Sequence, residues 1–400
     1  MAINIKNLET RIQKKAASVT SNTPTAELGD IIEAANLATG GLAQYDSAGL
    51  LPTASSTQNI KIAYIKKDNS IRFNSGSAWN TMTPNAAVGG ASQSAGGPDT
   101  VRLGETAGYV MSGSSSPGVQ DATQKFLFAA GTSAAGSVIS GLTSIAGGRY
   151  LGASAQSPTH AYHSGGYGPP PAPSLKNVIE KFPFAAEDTS TDVGDLLSVM
   201  AYLSGTSSPT HGYVHGGFSP ASNVIQKYST SSDGNATDVG DTTATTYGAG
   251  GAQSENHGYV IAGYQLTGTN RIQKYSFASD GNATAVGNTT QGPNLYYLSN
   301  NGQSTTHGYQ VGGTTGTTKN DIAKFAFASD GDATDVGDLT QTKTDHEGHS
   351  ATDGYIYISG GEPPSSGLTT IERFAYGSDG NAVDCGDLSP SIKAHGGAHV

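Results

Sequence analysis

"HGYVHGGFSPASNVIQKYSTSSDGNATDVGD" occupies His211–Asp241, and "HGYVIAGYQLTGTNRIQKYSFASDGNATAVGN" occupies His257–Asn288. These are two copies of one phrase. Its tyrosine, or an equivalent, recurs at Tyr109, Tyr162, Tyr213, Tyr259, Tyr309 and Tyr355, at intervals of 53, 51, 46, 50 and 46 residues. Repeats of roughly 50 residues fall in the range of propeller blades. Each copy has the same order: an aromatic-led segment, "HGYVxGG" or a variant, a variable loop, an alternating run such as "NVIQKYST", and a turn followed by "ATDVGD". Every segment has strand length and is bounded by Gly, Asn, Asp or Ser.

Four strands per repeat and six repeats predict an all-β chain folded as a six-bladed β-propeller. The Asp-Gly pairs at 233–234, 280–281, 330–331 and 379–380 read as hairpin turns between third and fourth strands, because tight hairpins need positive φ. The last residues, "HGGAHV" (His395–Val400), resemble a first strand with no second strand after it. They are expected to pair into the first blade, whose own first strand is poorly marked, so that no sheet edge stays open.

Composition narrows the function. Glycine, at 55 of 400 residues, is about twice its usual share, and charged residues, at 13%, are scarce, which suits short strands and tight turns. A net charge of −11 disfavours nucleic-acid partners. One cysteine, Cys385, excludes an intrachain disulfide and a cysteine-based zinc site. No apolar run is long enough to insert in a membrane, and the N-terminus lacks the apolar core of a secretion signal.

Candidate chemistry is sparse. His160, His211, His257 and His307, with Asp353 in the sixth repeat, hold equivalent positions. Equivalent points on separate blades lie far apart away from the axis, so these residues read as strand starts bonding a nearby turn rather than as metal ligands. "SDGNATD" falls short of a calcium loop, although a weak Ca²⁺ site at the Asp-Gly turns stays open as an alternative. "DHEGH" (Asp345–His349) is not a His-Glu-x-x-His motif, and His346 aligns with the leading tyrosine of other repeats. Cys385 replaces a valine and reads as a small buried thiol. No catalytic residue, metal or cofactor is assigned, and the chain is expected not to be an enzyme.

One cation recurs in every third strand: Lys125, Lys181, Lys227, Lys274, Lys324 and Arg373. Blades pack on both faces, so this cation needs a partner. The acids of "VGD", namely Asp195, Asp241, Asp338 and Asp387, are the expected partners in structural ion pairs. Loops following second and fourth strands share one side of a propeller, and here they carry the irregular sequence. Tyr167, Tyr264 and Tyr296 on that side are the candidate ligand-binding residues, suited to stacking on sugar rings or packing on a protein.

The double glycine, the aromatic of "I-x-K-F/Y" and the final "VGDL" resemble the kelch repeat over residues 100–400, without its usual fourth-strand tryptophan. Residues 1–45 read as a helical attachment segment and 46–90 as a small β-hairpin module and linker, ahead of a propeller over 91–400. That helix-then-hairpin order resembles the N-terminal portion of tail-fibre-like proteins of marine and cyanobacterial phages. The resemblance implies a virion protein, assembled in the host cytoplasm and released by lysis, that joins other virion proteins through its N-terminal segment. It implies a homo-oligomer in the particle, displaying the propeller to a host-surface glycan or protein or decorating the particle. The alternative is a kelch-type enzyme or lectin acting on surface polysaccharide.

Overall fold

The computed structural model describes residues 103–400 apart from 116–117, 129–136, 144–146, 170–173, 265–269, 299–301 and 364–366, together with four short strands within 43–81. The chain divides into two units, Met1–Gly96 and Gly97–Val400. In the first, Ile62–Ile65, Ser70–Asn74 and Trp79–Thr81 pair antiparallel in succession, and Ala43–Tyr45 pairs parallel with Ile62–Ile65. The expected "IKIAYI"–"SIRFN" hairpin is that central pairing. The helical reading of 1–45 lies outside the described residues except at Ala43–Tyr45, which are strand instead.

In the second unit the chain forms six antiparallel sheets, five of them built in sequence order. Blade three is typical: Ser204–Ser207, His211–His215, Val224–Ser229 and Thr237–Asp241. Blade five has three strands among the described residues, with a Gln303–Gly308 bridge where a first strand would lie. Blade one is completed from the far end of the chain: Gly396–His399 pairs with Ala107–Ser115, as the sequence predicts. The result is a closed six-bladed β-propeller, with no helix among the described residues.

The repeated phrase is a packing rule. In "HGY" the glycine leaves a hole that a ring from the third strand of the same blade fills. A Cβ on Gly212, Gly258 or Gly308 would stand 2.3–2.4 Å from the ring of Tyr228, Tyr275 or Phe325. The tyrosine after that glycine is buried and reaches the third-strand ring of the next blade. Tyr109 meets Phe182 at 5.3 Å, Tyr162 meets Tyr228 at 5.6 Å, and Tyr213 meets Tyr275 at 5.5 Å. Tyr259 meets Phe325 at 5.3 Å and Tyr309 meets Phe374 at 5.3 Å, and Tyr357 closes the circle on Phe126 at 5.9 Å. Such pairs contribute about 0.5–1.5 kcal/mol each beyond the area they bury. The structure moves the sixth anchor from Tyr355 to Tyr357. Tyr355, not Asp353, opens the strand and so stands where the other blades place histidine.

The repeated cation is paired, but not with the expected acids. Lys181 meets Asp233 at 2.5 Å, Lys227 meets Asp280 at 2.5 Å, Lys274 meets Asp330 at 2.6 Å, and Lys324 meets Asp379. Each partner is the aspartate of an Asp-Gly pair on the following blade. Lys125 meets Glu187 of blade two in the same way. Arg373 differs: its guanidinium lies 4.4 Å from the centre of the Tyr355 ring and donates to the Tyr357 hydroxyl.

The Asp-Gly pairs are also not two-residue hairpin turns. Strand three of blade three ends at Ser229 and strand four starts at Thr237, so Asp233-Gly234 sits in a longer loop that docks on blade two. There the Asp195 amide donates to Asn235 Oδ1 at 3.0 Å, and the Ala236 amide donates back to the Asp195 carbonyl at 2.8 Å. Gly194 lies so close beneath this loop that a Cβ would stand 2.3 Å from the Gly234 carbonyl oxygen. Blades three to four and five to six repeat the contact with Asp241 on Asn282 and Asp338 on Asn381, both at 3.0 Å. The acids Asp195, Asp241 and Asp338 thus contribute their backbones to the clasp. Asp387 accepts from the Thr369 hydroxyl at 2.7 Å.

Candidate binding face

Immediately before each first strand the backbone turns through the left-handed region. The residues are Leu151 (φ 60°), Tyr202 (57°), Gly248 (60°), Tyr297 (55°), Asp345 (52°) and Ala394 (53°). Five of the six are not glycine, and such a conformation costs of order 1 kcal/mol each unless its surroundings hold it. A backbone ring holds it here. Leu151 N donates to Ala394 O at 2.9 Å, Leu203 N to Leu151 O at 3.3 Å, and Gly248 N to Tyr202 O at 2.9 Å. Leu298 N donates to Gly248 O at 3.1 Å, Asp345 N to Tyr297 O at 3.0 Å, and Ala394 N to Asp345 O at 2.8 Å. Six connectors make a closed hydrogen-bonded collar around the axis.

Outside the collar, the third residue after the second strand of blades two to six bridges to the connector. Tyr167 pairs with Tyr150, Phe218 with Ala201, Tyr264 with Tyr247, Thr314 with Tyr296, and Glu362 with Thr344. These pairings place eight aromatic rings in one continuous band. Tyr150 stacks on Tyr167 at 5.4 Å, and Tyr167 meets Tyr202 edge-on at 6.1 Å. Tyr202 touches Phe218, Tyr247 and Tyr297, lying stacked on Tyr297 at 5.7 Å. Tyr247 continues to Tyr264 at 5.0 Å, Tyr264 to Tyr296 at 5.4 Å, and Tyr296 back to Tyr297 at 4.4 Å. The seven tyrosines are half-buried and Phe218 is 42% exposed, so ring surface faces outward.

The band gathers all three predicted ligand residues, Tyr167, Tyr264 and Tyr296. Of the irregular stretches that mark this side in the sequence, 290–295 is described, while 170–173, 265–269 and 364–366, the middles of the other three, fall outside the described residues. Sequence reasoning missed Tyr150, Tyr202, Tyr247, Tyr297 and Phe218. The signal was present: each repeat begins with an aromatic, which was read there as the head of a strand rather than as a connector.

The collar surrounds a small axial pocket lined by Leu151, Tyr202, Gly248, Tyr297, Asp345 and His395, among others. It has room for about one water. Asp345 stands where blades three and five place Tyr202 and Tyr297. His346 aligns with Leu203 and Leu298, not with a leading tyrosine. Asp345 is 8% exposed, and its Oδ2 accepts from Thr344 Oγ1 at 3.1 Å. Burial pushes its carboxyl up to about 7, with the nearby Glu362 charge adding and Lys393 opposing. Lys393 and Glu362 are themselves an ion pair at 2.5 Å. At the opposite end of the axis Gln156, Gln253, Gln303 and His399 line a cavity with room for about two waters.

The strand-opening histidines keep to the far side from the tyrosine band. Nδ1 of His160, His211 and His307 lies 2.8–2.9 Å from Thr159, Thr210 and Thr306 hydroxyls. Burial, then the neighbouring lysine, lowers the affinity of each for a proton. Among the described residues no three His, Cys, Asp or Glu side chains converge to hold a metal. Cys385 is buried, its thiol is pushed up to about 11 by burial, and it donates to Ile371 O at 3.3 Å.

No protein-family model matches this chain, and neither does any curated protein. Among solved structures, one described as "Structure of YjhT" superposes with a TM-score of 0.57 at 13% identity, covering 72% of this chain and 98% of that one. At that identity the likeness shows the six-bladed propeller fold, and the fold is the class to which this chain is assigned.

Proposed function

We propose that the propeller is a non-enzymatic glycan-binding head, read as kelch-like, displayed on a bacteriophage particle and attached through residues 1–90. The eight-ring band carries the binding part of this reading. Tyrosine rings offer flat apolar faces beside hydroxyls, which suits pyranose rings, and stacked neighbours are rigid, so little entropy is lost on binding. The band also lies on loops held by the rigid collar, the usual setting of recognition residues. The virion part is supported by the resemblance of the N-terminal segment. Labelling purified particles with antibody against the propeller tests it: particles without label would end the virion reading. Binding is tested by titrating the full chain with host surface polysaccharide. Tyr247→Ala and Tyr264→Ala should each weaken binding about tenfold, of order 1.4 kcal/mol. Lys227→Ala, on another part of the disc, should leave it unchanged.

A second reading, a glycoside hydrolase, draws on one observation: Asp345 and Glu362 are two acids on this same face, one held near neutrality. A pair of carboxyls is what such chemistry uses. Glu362 is already committed to Lys393, and the pocket at Asp345 admits only a water-sized group. Binding is therefore the preferred reading. Release of reducing ends from the bound polysaccharide, lost in Asp345→Asn, would reverse that preference.

A further inference from the structure

The axial pocket has aliphatic walls, from Leu151, Leu203, Leu298 and Ala394, into which a few polar and aromatic residues are set. Asp345 brings a carboxyl with a single hydrogen bond, from Thr344. Tyr202 and Tyr297, stacked on one another, also line it. The third contribution is His395, 2% exposed, and its character follows from a chain of hydrogen bonds. His349 Nδ1 lies 3.0 Å from the Ala398 carbonyl, so it must donate. His349 Nε2 is then an acceptor, taking the single hydrogen of the Ser359 hydroxyl at 2.9 Å. The Ser359 oxygen in turn accepts from His395 Nε2–H at 3.0 Å. His395 Nδ1 is left as a bare lone pair, and it has no hydrogen-bond partner.

A buried carboxyl and a buried imidazole lone pair both attract a donor that carries positive charge. The nearby cations are occupied, Lys393 by Glu362 and Lys343 by Glu372. The space is about that of one water, which is also the size of an –NH₃⁺ group. We propose that this pocket binds a primary ammonium group. The proposal rests on the glycan reading for its ligand: the amine belongs to a sugar lying on the tyrosine band, so the preferred glycan carries free, non-acetylated amino groups.

The test titrates the full chain with a glucosamine oligosaccharide and with its fully N-acetylated twin. The free-amine form should bind about tenfold more tightly, and Asp345→Asn should abolish that difference while leaving the acetylated form bound as before. Asparagine keeps the shape and tolerates the left-handed backbone at this position, so the variant should fold. Equal affinities in the unmutated chain would overturn the proposal. If neither oligosaccharide binds, the glycan reading has failed separately, and methylammonium chloride then tests the pocket alone. It should raise the melting temperature of the chain above that in equal sodium chloride, and do so in Lys227→Ala but not in Asp345→Asn. No such rise overturns the proposal, as does an equal or larger rise with sodium or calcium, which would make the pocket a metal-ion site.

Discussion

Lys227 belongs to blade three and Asp280 to blade four, and the ammonium of one meets the carboxylate of the other at 2.5 Å. Beside them, Gly240 of blade three lies against the Gly281 carbonyl of blade four. The two contacts look like partners in one joint, yet they differ in strength.

The ion pair is half in water, with the Asp280 side chain 56% exposed, so screening leaves it about 0.5 kcal/mol. Lys227→Ala should therefore lower the melting temperature only slightly. Gly240→Ala sets a Cβ 2.3 Å from a backbone carbonyl at φ +151°, and nothing flexible can yield. Its cost should be about 2–4 kcal/mol, from forced separation of the two blades. Denaturant unfolding of both variants compares them. Similar losses would mean that charge, not close approach, fixes the joint.

Removing Gly396–Val400 should do more harm than any point change. It strips the first strand from blade one, taking away the pairing with Ala107–Ser115 and the amide bonds from Thr106 and Ala107 to the Val400 carbonyl. The exposed edge should promote self-association. Light scattering and thermal unfolding of the truncated chain check this; a monomer of unchanged melting temperature would contradict the closed ring.

Asp345 should make the free protein less stable at neutral pH. Its carboxyl is raised in the fold to about 7 from the ordinary 3.8. Below about pH 4 both folded and unfolded chains hold the proton and no penalty exists. As pH rises the unfolded chain ionises first, and the penalty is complete above pH 7. Asp345→Asn should then gain about 2–4 kcal/mol at pH 8 and little at pH 3. Groups packed around it that titrate or carry charge are Glu362, Lys393, Tyr202, Tyr297 and His395, so the measurement should be repeated in Asp345→Asn at several salt concentrations.

His215 predicts the opposite limb. It is 1% exposed against Tyr275, and burial lowers its imidazole to about 3. With a folded value below the unfolded 6.5, no penalty exists above pH 6.5, where both states are neutral, and the fold is progressively destabilised as pH falls from 6.5 toward 3. Blades four and five place Ile261 and Val311 at this position. His215→Val should leave stability at pH 8 nearly unchanged and gain about 2–3 kcal/mol at pH 4.5. An unaltered acid limb would show that another group governs acid unfolding.

Much of this disc can be read in the sequence, for physical reasons. Tyr213 and Tyr259 recur because each must fill the same gap between blades, and a recurring gap leaves a recurring letter. The tail at His395–Val400 was recognisable because a first strand without a second has to find one elsewhere. The Asp-Gly pairs misled because turn propensity describes Asp233-Gly234 alone and says nothing of Lys181 on the adjoining blade. "VGD" misled in the same way: its conspicuous acid was matched to the cation, while its glycine and backbone form the joint. The collar left no mark at all. Leu151, Tyr202, Tyr297, Asp345 and Ala394 share a backbone conformation but no one side-chain chemistry, so their kinship shows only in coordinates. Asp345 consequently passed as part of "DHEGH", a motif weighed for metal and set aside.

Since Gly396–His399 lies beside Ala107–Ser115, the chain enters and leaves the disc at one blade. Tension arriving through the stretch ahead of Gly104 reaches that blade first, and it is the one blade whose first two strands no loop connects. A disc pulled from that side should thus begin to open there, at a seam, with the remaining five blades still joined by covalent connectors.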